Sequence, residues 1–161
     1  AGSRVARLRR SDPLLELVII GAQFAHWEQV VAHARGLGVV EAIEDRQDLS
    51  DEQLVALYQG AICRVRPSRY EGFGLPVREA CACGTPVVAS NVTAVPEVCG
   101  DAALLCSPDD IQGMAHAVTR LRTDSTLRAE LVRRGRARAA LFTWDRTAQG
   151  MEQHLLEASE G

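Results

Sequence analysis

The sequence of 161 residues contains no lysine, since all 18 of its basic residues are arginine. Aromatic residues make up only 4% of the chain, so its core must be built mainly from Ala, Val, Leu and Ile. No apolar run approaches the roughly 20 residues of a membrane-spanning helix, and no secretory signal pattern opens the chain. A net charge of −3 gives no reason to expect nucleic acid as a partner. The composition favours a soluble globular protein.

The cysteines are few, odd in number and scattered. The five positions are Cys63, Cys81, Cys83, Cys99 and Cys106. They form none of the Cys-x-x-Cys pairs that are typical of zinc sites, so we predict no metal. Reduced, packed thiols in a cytoplasmic protein are the expected state.

Short apolar runs alternate with segments of helical periodicity. The predicted strands cover residues 15–22, 39–43, 61–67, 85–90 and 102–106, the second being the weakest. Apolar residues at helical spacing run from Phe24 to Leu37, and helical periodicity continues after Pro108 almost to the end. Uninterrupted apolar strands between helices favour a parallel sheet covered on both faces. We therefore predict an α/β fold: one doubly wound, Rossmann-like domain over residues 1–161, with five strands.

Two further helices have sequence signals at their ends. Ser50 and Gln53 form a capping box in front of an apolar helical segment. In the stretch YEGFGLPVREACACGTPVVAS, residues 70–90, Pro76 suits the first turn of a helix and Gly84 suits its end. Gly74 and the glycine two residues before it follow a strand, so this turn lies where open α/β sheets bind ligands.

The turn before this helix has the features of an anion site. Glycine lets the backbone approach a ligand closely, and the amides of the first helical turn are unpaired at the positive end of the helix dipole. Glu71 precedes the turn and Glu79 lies about one turn inside the helix. Each carboxylate can accept hydrogen bonds from hydroxyl groups, so a nucleotide sugar fits this pattern. A loop acid with a helix-dipole partner, or the acid pair of a glycosidase, are the alternatives.

This segment resembles the glutamate–seven residues–glutamate motif of retaining glycosyltransferases with the GT-B architecture, in particular the large family 4. The likeness extends over PSRYEGFGLPVREACACGTPVVASNVTAVPEVCGDAALL, and the flanking SDEQLVALY and FTWDRTA match as well. It spans roughly residues 8–157. The resemblance implies that the chain is the C-terminal, donor-binding domain of such an enzyme, which transfers a hexose to an acceptor that the sequence does not identify.

The resemblance also implies roles for individual residues. Glu79 is expected to bind the ribose hydroxyls of a UDP- or GDP-sugar, and Glu71 to be the catalytic residue beside the transferred sugar. The backbone of Gly72, Phe73, Gly74 and Leu75 is expected to contact the sugar and the diphosphate. The family retains anomeric configuration without a metal ion or other cofactor. Stabilisation of the leaving diphosphate is expected to carry much of the catalysis.

The chain departs from the family pattern at its start. Family members begin this domain with a strand and a glycine-containing loop whose Arg and Lys clamp the diphosphate. Residues 1–13, AGSRVARLRRSDP, resemble the helix after that loop, so we expect these residues to lack the strand and the loop, as well as the N-terminal acceptor domain. We therefore expect the chain alone to be inactive. The neighbours of the missing strand are expected to pair with each other, to pair with a second copy in a homodimer, or to remain an open edge. A non-catalytic nucleotide-sugar-binding or scaffolding module, or a recombined fragment without activity, is the alternative.

Two groups of arginines need explanation. Arg64 and Arg66 lie on one face of a strand where the family has large apolar residues, so either this face is exposed or nearby acids pair with them. Four arginines late in a helix form a basic patch: Arg133, Arg134, Arg136 and Arg138. A solvated helix face is the default interpretation. Contact with anionic lipid, at the inner membrane surface, is the alternative.

Overall fold

The computed structural model describes residue 6 and residues 8–9, 12–21 and 27–159. Within these residues, five strands are assigned: β1 (Leu17–Ile20), β2 (Ile43–Arg46), β3 (Arg64–Arg66), β4 (Val87–Ser90) and β5 (Ala103–Cys106). The helices are α1 (Trp27–Gly36), α2 (Asp51–Gly60), α3 (Leu75–Cys83), α4 (Val95–Cys99), α5 (Ile111–Thr123), α6 (Ser125–Ala139) and α7 (Trp144–Ser159). Phe24, near the predicted start of the first helix, lies outside the described residues, as does most of residues 1–13.

The strands are parallel, as predicted, but they form two sheets rather than one. β1 pairs with β2, with Leu17 beside Ile43. β4 lies between β3 and β5, with Val87 beside Arg64 on one side and beside Ala103 on the other. Among the described residues, β1 and β3 do not pair with each other, and each has one edge without a strand partner. Pairing of these two strands with each other, one of the three expected arrangements, is therefore excluded. Pairing with a second copy stays a prediction.

The second strand was predicted three to four residues too early. The apolar run 39–43 instead contains a 3-10 turn, Val40–Ala42, whose Ala42 packs into a small cluster with Ala34 of α1. The strand itself is Ile43–Arg46, in which half-buried and exposed residues alternate. β2 lies at the edge of its sheet, and an edge strand with one solvated face needs no continuous apolar run.

The larger sheet is covered by helices on both faces, as predicted. All four residues of β4 are buried. On one face Val87 packs in a cluster with Tyr58 of α2 and Val77 of α3. On the other face Val88 packs with Leu121 of α5 and with its neighbours on that helix. The core of this sheet therefore fixes β3 and α3, the two elements on either side of the predicted site.

The predicted capping box begins α2. The backbone N–H of Gln53 donates to the Ser50 hydroxyl at 3.3 Å, and the backbone N–H of Ser50 donates to the Gln53 side chain at 2.9 Å. Together they satisfy two amides that the helix itself leaves without a partner. The helix ends two residues after Tyr58, which is buried against the larger sheet. The capping box thus fixes the start of the helix that positions Tyr58 at the site described below.

Apolar residues at helical spacing also occur along the last helix, α7, but they face solvent. Trp144, Met151 and Leu155 of α7 are all exposed. They form no part of the buried clusters on the two faces of the larger sheet. None of the helices in the described ranges is both long enough and apolar enough to cross a membrane.

Candidate functional site

The helix α3 that follows β3 begins and ends at glycines in the left-handed conformation. Gly74, at φ +87°, precedes the helix, and Pro76 is the second helical residue. Gly84, at φ +80°, ends the helix, and its amide donates to the carbonyl of Cys81 at 3.1 Å. Only glycine adopts such a φ without steric cost. The predicted helix, and the turn before it, are therefore where the sequence placed them.

The turn presents backbone donors without acceptors. The amides of Gly72, Phe73, Gly74 and Leu75 donate no hydrogen bond to any described residue. No side chain caps the helix, and the next residue, Pro76, has no N–H. The first amide that is bonded within the helix is that of Val77, which donates to the carbonyl of Gly74 at 2.9 Å. Four consecutive free donors at a helix start are suited to a phosphate group.

Glu71 lies at the start of this turn and is held by two neighbours. Its carboxylate accepts from the Nε of Arg66 at 2.5 Å and from the hydroxyl of Ser68 at 2.6 Å. The Glu71 side chain is only 11% exposed. A nearby acid therefore pairs with one of the two strand arginines, and the charge of Arg66 is compensated.

These contacts keep Glu71 ionised. Burial acts to raise the pKa of its carboxyl. The hydrogen bonds from Ser68 and Arg66 act against burial, as do the positive charges of Arg66 and Arg64, so that the pKa lies below its ordinary value. At neutral pH the residue is thus a carboxylate that accepts hydrogen bonds, as its predicted role beside a sugar requires.

Two further contacts fix the backbone of the turn. The Thr93 hydroxyl accepts from the Glu71 amide at 3.1 Å and donates to the Glu71 carbonyl at 2.9 Å. Thr93 lies beyond the end of β4 and adopts a positive φ of 46°, which is rare for a residue other than glycine. Phe73 makes an edge-to-face contact with Phe142, with ring centroids 5.7 Å apart. Both sides of the turn are therefore anchored on other elements.

Glu79 is the second predicted acid, and it is exposed on α3. The Tyr58 hydroxyl lies 3.3 Å from its Oε2 and 3.4 Å from the Pro76 carbonyl, so that one donor is shared between two acceptors. Burial raises the pKa of Tyr58; the Arg64 charge acts against this and the Glu79 charge adds to it. Tyr58 therefore remains a neutral donor at neutral pH and orients an acid that solvent and ligands can reach.

Sequence reasoning missed three residues that hold this site. Tyr58 orients Glu79, Ser68 contacts the Glu71 carboxylate, and Thr93 fixes the Glu71 backbone. The position of Ser68, three residues before Glu71, was a local signal. Tyr58 and Thr93 reach the turn from elements 13 and 22 residues away from Glu71 in the sequence, and spacing alone does not reveal such contacts.

Two of the cavities on the described part of the chain lie away from this turn. The larger, of about 560 Å³, lies at the start of α5, where Asp110, Gly113 and His116 contribute to its lining. A second, smaller one lies between α3 and α6, beside Cys81 and Ala139. Neither includes Glu71 or Glu79.

The structure also shows how the arginines of the basic patch and the cysteines are arranged. Arg133 and Arg134 both donate to Glu130, each at 2.7 Å, and Arg138 donates to the Val98 carbonyl at 3.1 Å. This pairing favours the solvated-face interpretation of the basic patch over lipid contact. All five cysteines are free thiols. Within the described ranges, no group of three or more His, Cys, Asp or Glu residues is arranged to hold a metal ion.

A parallel α/β sheet with a donor-rich turn at the carboxyl end of a strand defines a Rossmann-like, ligand-binding class of domain. Comparison with known proteins identifies the family within this class. The family model for glycosyl transferases group 1 matches residues 3–138, so the chain belongs to this family of glycosyltransferases. It is 46% identical over 95 residues to the O-antigen chain mannosyltransferase B of Escherichia coli, covering 59% of this chain and 25% of that protein.

Solved structures agree with this assignment. The sucrose-phosphate synthase of Thermosynechococcus elongatus superposes with a TM-score of 0.83 at 27% identity, covering 99% of this chain and 42% of that one. Anabaena Alr3699/HepE, solved in complex with UDP, superposes with a TM-score of 0.85 at 21% identity, covering 97% of this chain and 44% of that one. The predicted Rossmann-like fold of the GT-B type is thus confirmed. The chain spans 25%, 31% and 36% of the lengths of three curated relatives that it matches.

Proposed function

We propose that the chain is the donor-binding domain of a retaining glycosyltransferase that uses a UDP- or GDP-activated hexose. The observation that carries this proposal is the turn Gly72–Leu75, with four free amides at the start of α3 and the two acids Glu71 and Glu79 beside it. Free amides suit a diphosphate, and carboxylates suit sugar hydroxyls. The Anabaena structure, which was solved with UDP, supports a nucleotide as the ligand.

In this proposal each acid has a separate task. Glu79 accepts hydrogen bonds from the ribose hydroxyls, and Tyr58 orients it from behind. Glu71 lies beside the transferred hexose, and its ion pair with Arg66 keeps it ionised. The amides of the turn stabilise the diphosphate as negative charge develops on it during transfer. No metal is assigned a role, since these groups bind the donor through hydrogen bonds alone.

The proposal also assigns partners and a location. An acceptor-binding domain of the same enzyme is the expected partner, since the chain covers 42% and 44% of the two solved neighbours. The edges of β1 and β3 are available for pairing with a second copy or with a further strand. Five free thiols support a cytoplasmic location.

Replacing Glu79 by glutamine tests the donor assignment. We expect the variant to bind UDP or GDP about 10- to 100-fold more weakly, because each hydrogen bond between a hydroxyl and a charged acceptor contributes about 1.5–3 kcal/mol. Isothermal titration calorimetry of the chain with UDP and with GDP measures this change. Glu152→Gln, at an exposed position on α7, is the matched control and should bind as the wild type does. Failure of the wild-type chain to bind either nucleotide would refute the proposed function.

A further inference from the structure

Arg64, on the strand below the turn, is the least satisfied charged group of the site. Its Nε is buried and has no hydrogen-bond partner. No hydrogen bond or ion pair joins its guanidinium to another described residue. Arg64 as a whole is half-buried, but burying its Nε–H without a hydrogen-bond partner is destabilising. A buried polar group without a partner calls for an explanation, and a role in binding an ion or a ligand is one.

The charge of Arg64 is close to the residues that hold both acids. It pairs in register with Val87, so its side chain lies on the sheet face that α2 and α3 cover. There its guanidinium carbon lies 5.8 Å from the centre of the Tyr58 ring, a distance typical of a cation–π contact. Tyr58 in turn contacts Glu79. The positive charge of Arg64 also acts on Glu71 at the other side of the site.

The two strand arginines have different partners, although they lie on the same face. Arg66 is committed to Glu71 by a short ion pair. Arg64 stacks on an aromatic ring, which compensates part of its charge but accepts no conventional hydrogen bond from its N–H groups. Its terminal Nη groups, which unlike Nε are not fully buried, are therefore available to an anion that enters the site. A planar guanidinium with several N–H donors matches phosphate oxygens well.

We propose that Arg64 binds the diphosphate of the donor, as a side-chain cation that acts together with the free amides of Gly72–Leu75. This inference rests on the proposed function and adds a residue to it. The amides bind the diphosphate from the turn, and Arg64 binds it from the strand below. Arg64 occupies a strand position at which the family has a large apolar residue. Its binding role is therefore specific to this chain.

The test replaces Arg64 by methionine, which keeps much of the length of the side chain and removes its charge and donors. Calorimetry with inorganic pyrophosphate, and with whichever of UDP or GDP binds the wild type, should show a loss of affinity of at least about tenfold for both. The matching nucleoside, uridine or guanosine, should bind as well as it does to the wild type. Arg64→Lys keeps the charge but loses the planar donor set, and should give an intermediate loss.

Two controls separate this result from a general defect. Arg69→Met changes an arginine in the loop beside the site that is 76% exposed and pairs with Asp109, and its pyrophosphate affinity should stay within twofold. Glu79→Gln should show the opposite pattern, with weaker nucleoside binding and unchanged pyrophosphate binding. The Arg64 and Glu79 substitutions therefore test the binding of the diphosphate and of the ribose separately.

Several outcomes would overturn the inference. Unchanged pyrophosphate affinity in Arg64→Met would overturn it and leave the proposed function intact, provided that the wild type binds UDP or GDP. An equal loss of affinity for the nucleoside would assign Arg64 a structural role instead. If Arg64→Met does not fold, Arg64→Lys decides, and unchanged pyrophosphate affinity there would count against hydrogen bonding by the guanidinium. A wild-type chain that binds neither pyrophosphate nor a nucleotide would overturn both proposals.

Discussion

Replacing Leu121 by alanine is expected to lower the free energy of unfolding by about 2–5 kcal/mol, the usual range for removing a fully buried leucine side chain. Leu121 lies on α5, is 0% exposed and packs against Val88 in the middle of the larger sheet. The substitution leaves a cavity beside β4, the strand to which β3 and β5 both pair. Urea unfolding followed by circular dichroism measures the change.

The control for this experiment is a leucine outside the core. Leu155 on α7 is 70% exposed, so Leu155→Ala should change the free energy of unfolding by no more than about 0.5 kcal/mol. A similar loss in Leu155→Ala would mean that this side chain is buried in solution, contrary to its exposed position on α7. A loss below about 1 kcal/mol in Leu121→Ala alone would contradict the central position of β4.

Replacing Gly74 by alanine is expected to affect both stability and binding. The residue has a φ of +87°, and the left-handed conformation is about 1–2 kcal/mol less favourable for alanine. No steric clash adds to this value, since the alanine Cβ would lie 3.9 Å from its nearest neighbour, Cγ2 of Val95. Relaxation of the turn would also move its amides away from a bound phosphate. The loss of one hydrogen bond to the phosphate would weaken nucleotide binding about tenfold.

Gly72, two residues earlier, provides a matched control for stability. Its φ lies outside the left-handed region, and a Cβ there would meet no atom within 4 Å. The free energy of unfolding of Gly72→Ala should therefore lie within about 0.5 kcal/mol of the wild-type value. Chemical denaturation of both variants measures the difference between them. Equal stability of the two variants would show that the left-handed conformation at Gly74 is not required for the helix start.

Local signals predicted the elements around the site accurately. The capping box at Ser50, the proline at the start of α3 and the glycine at its end each depend on backbone chemistry within a few residues, and sequence contains that information. The second strand was misplaced because its own residues, Ile43–Arg46, are largely polar. The apolar run before it fills a 3-10 turn instead.

Long-range contacts were harder to predict. The sequence indicated that Arg64 and Arg66 needed partners, and it offered nearby acids as one solution. It could not show that Arg66 would take Glu71 while Arg64 stacks on Tyr58, because that choice depends on how α2 packs against the sheet. The division of the parallel strands into two sheets also depends on pairing between distant segments.

The proposed function depends above all on the turn before α3, whose backbone amides are expected to bind the diphosphate of a nucleotide sugar. Amide chemical shifts of the ¹⁵N-labelled chain, recorded while UDP or GDP is added, report on these donors individually. We expect the largest shift changes at Gly72, Phe73, Gly74 and Leu75. Unchanged signals there, with shifts at Gly113 and His116 beside the 560 Å³ cavity, would show that the nucleotide binds elsewhere.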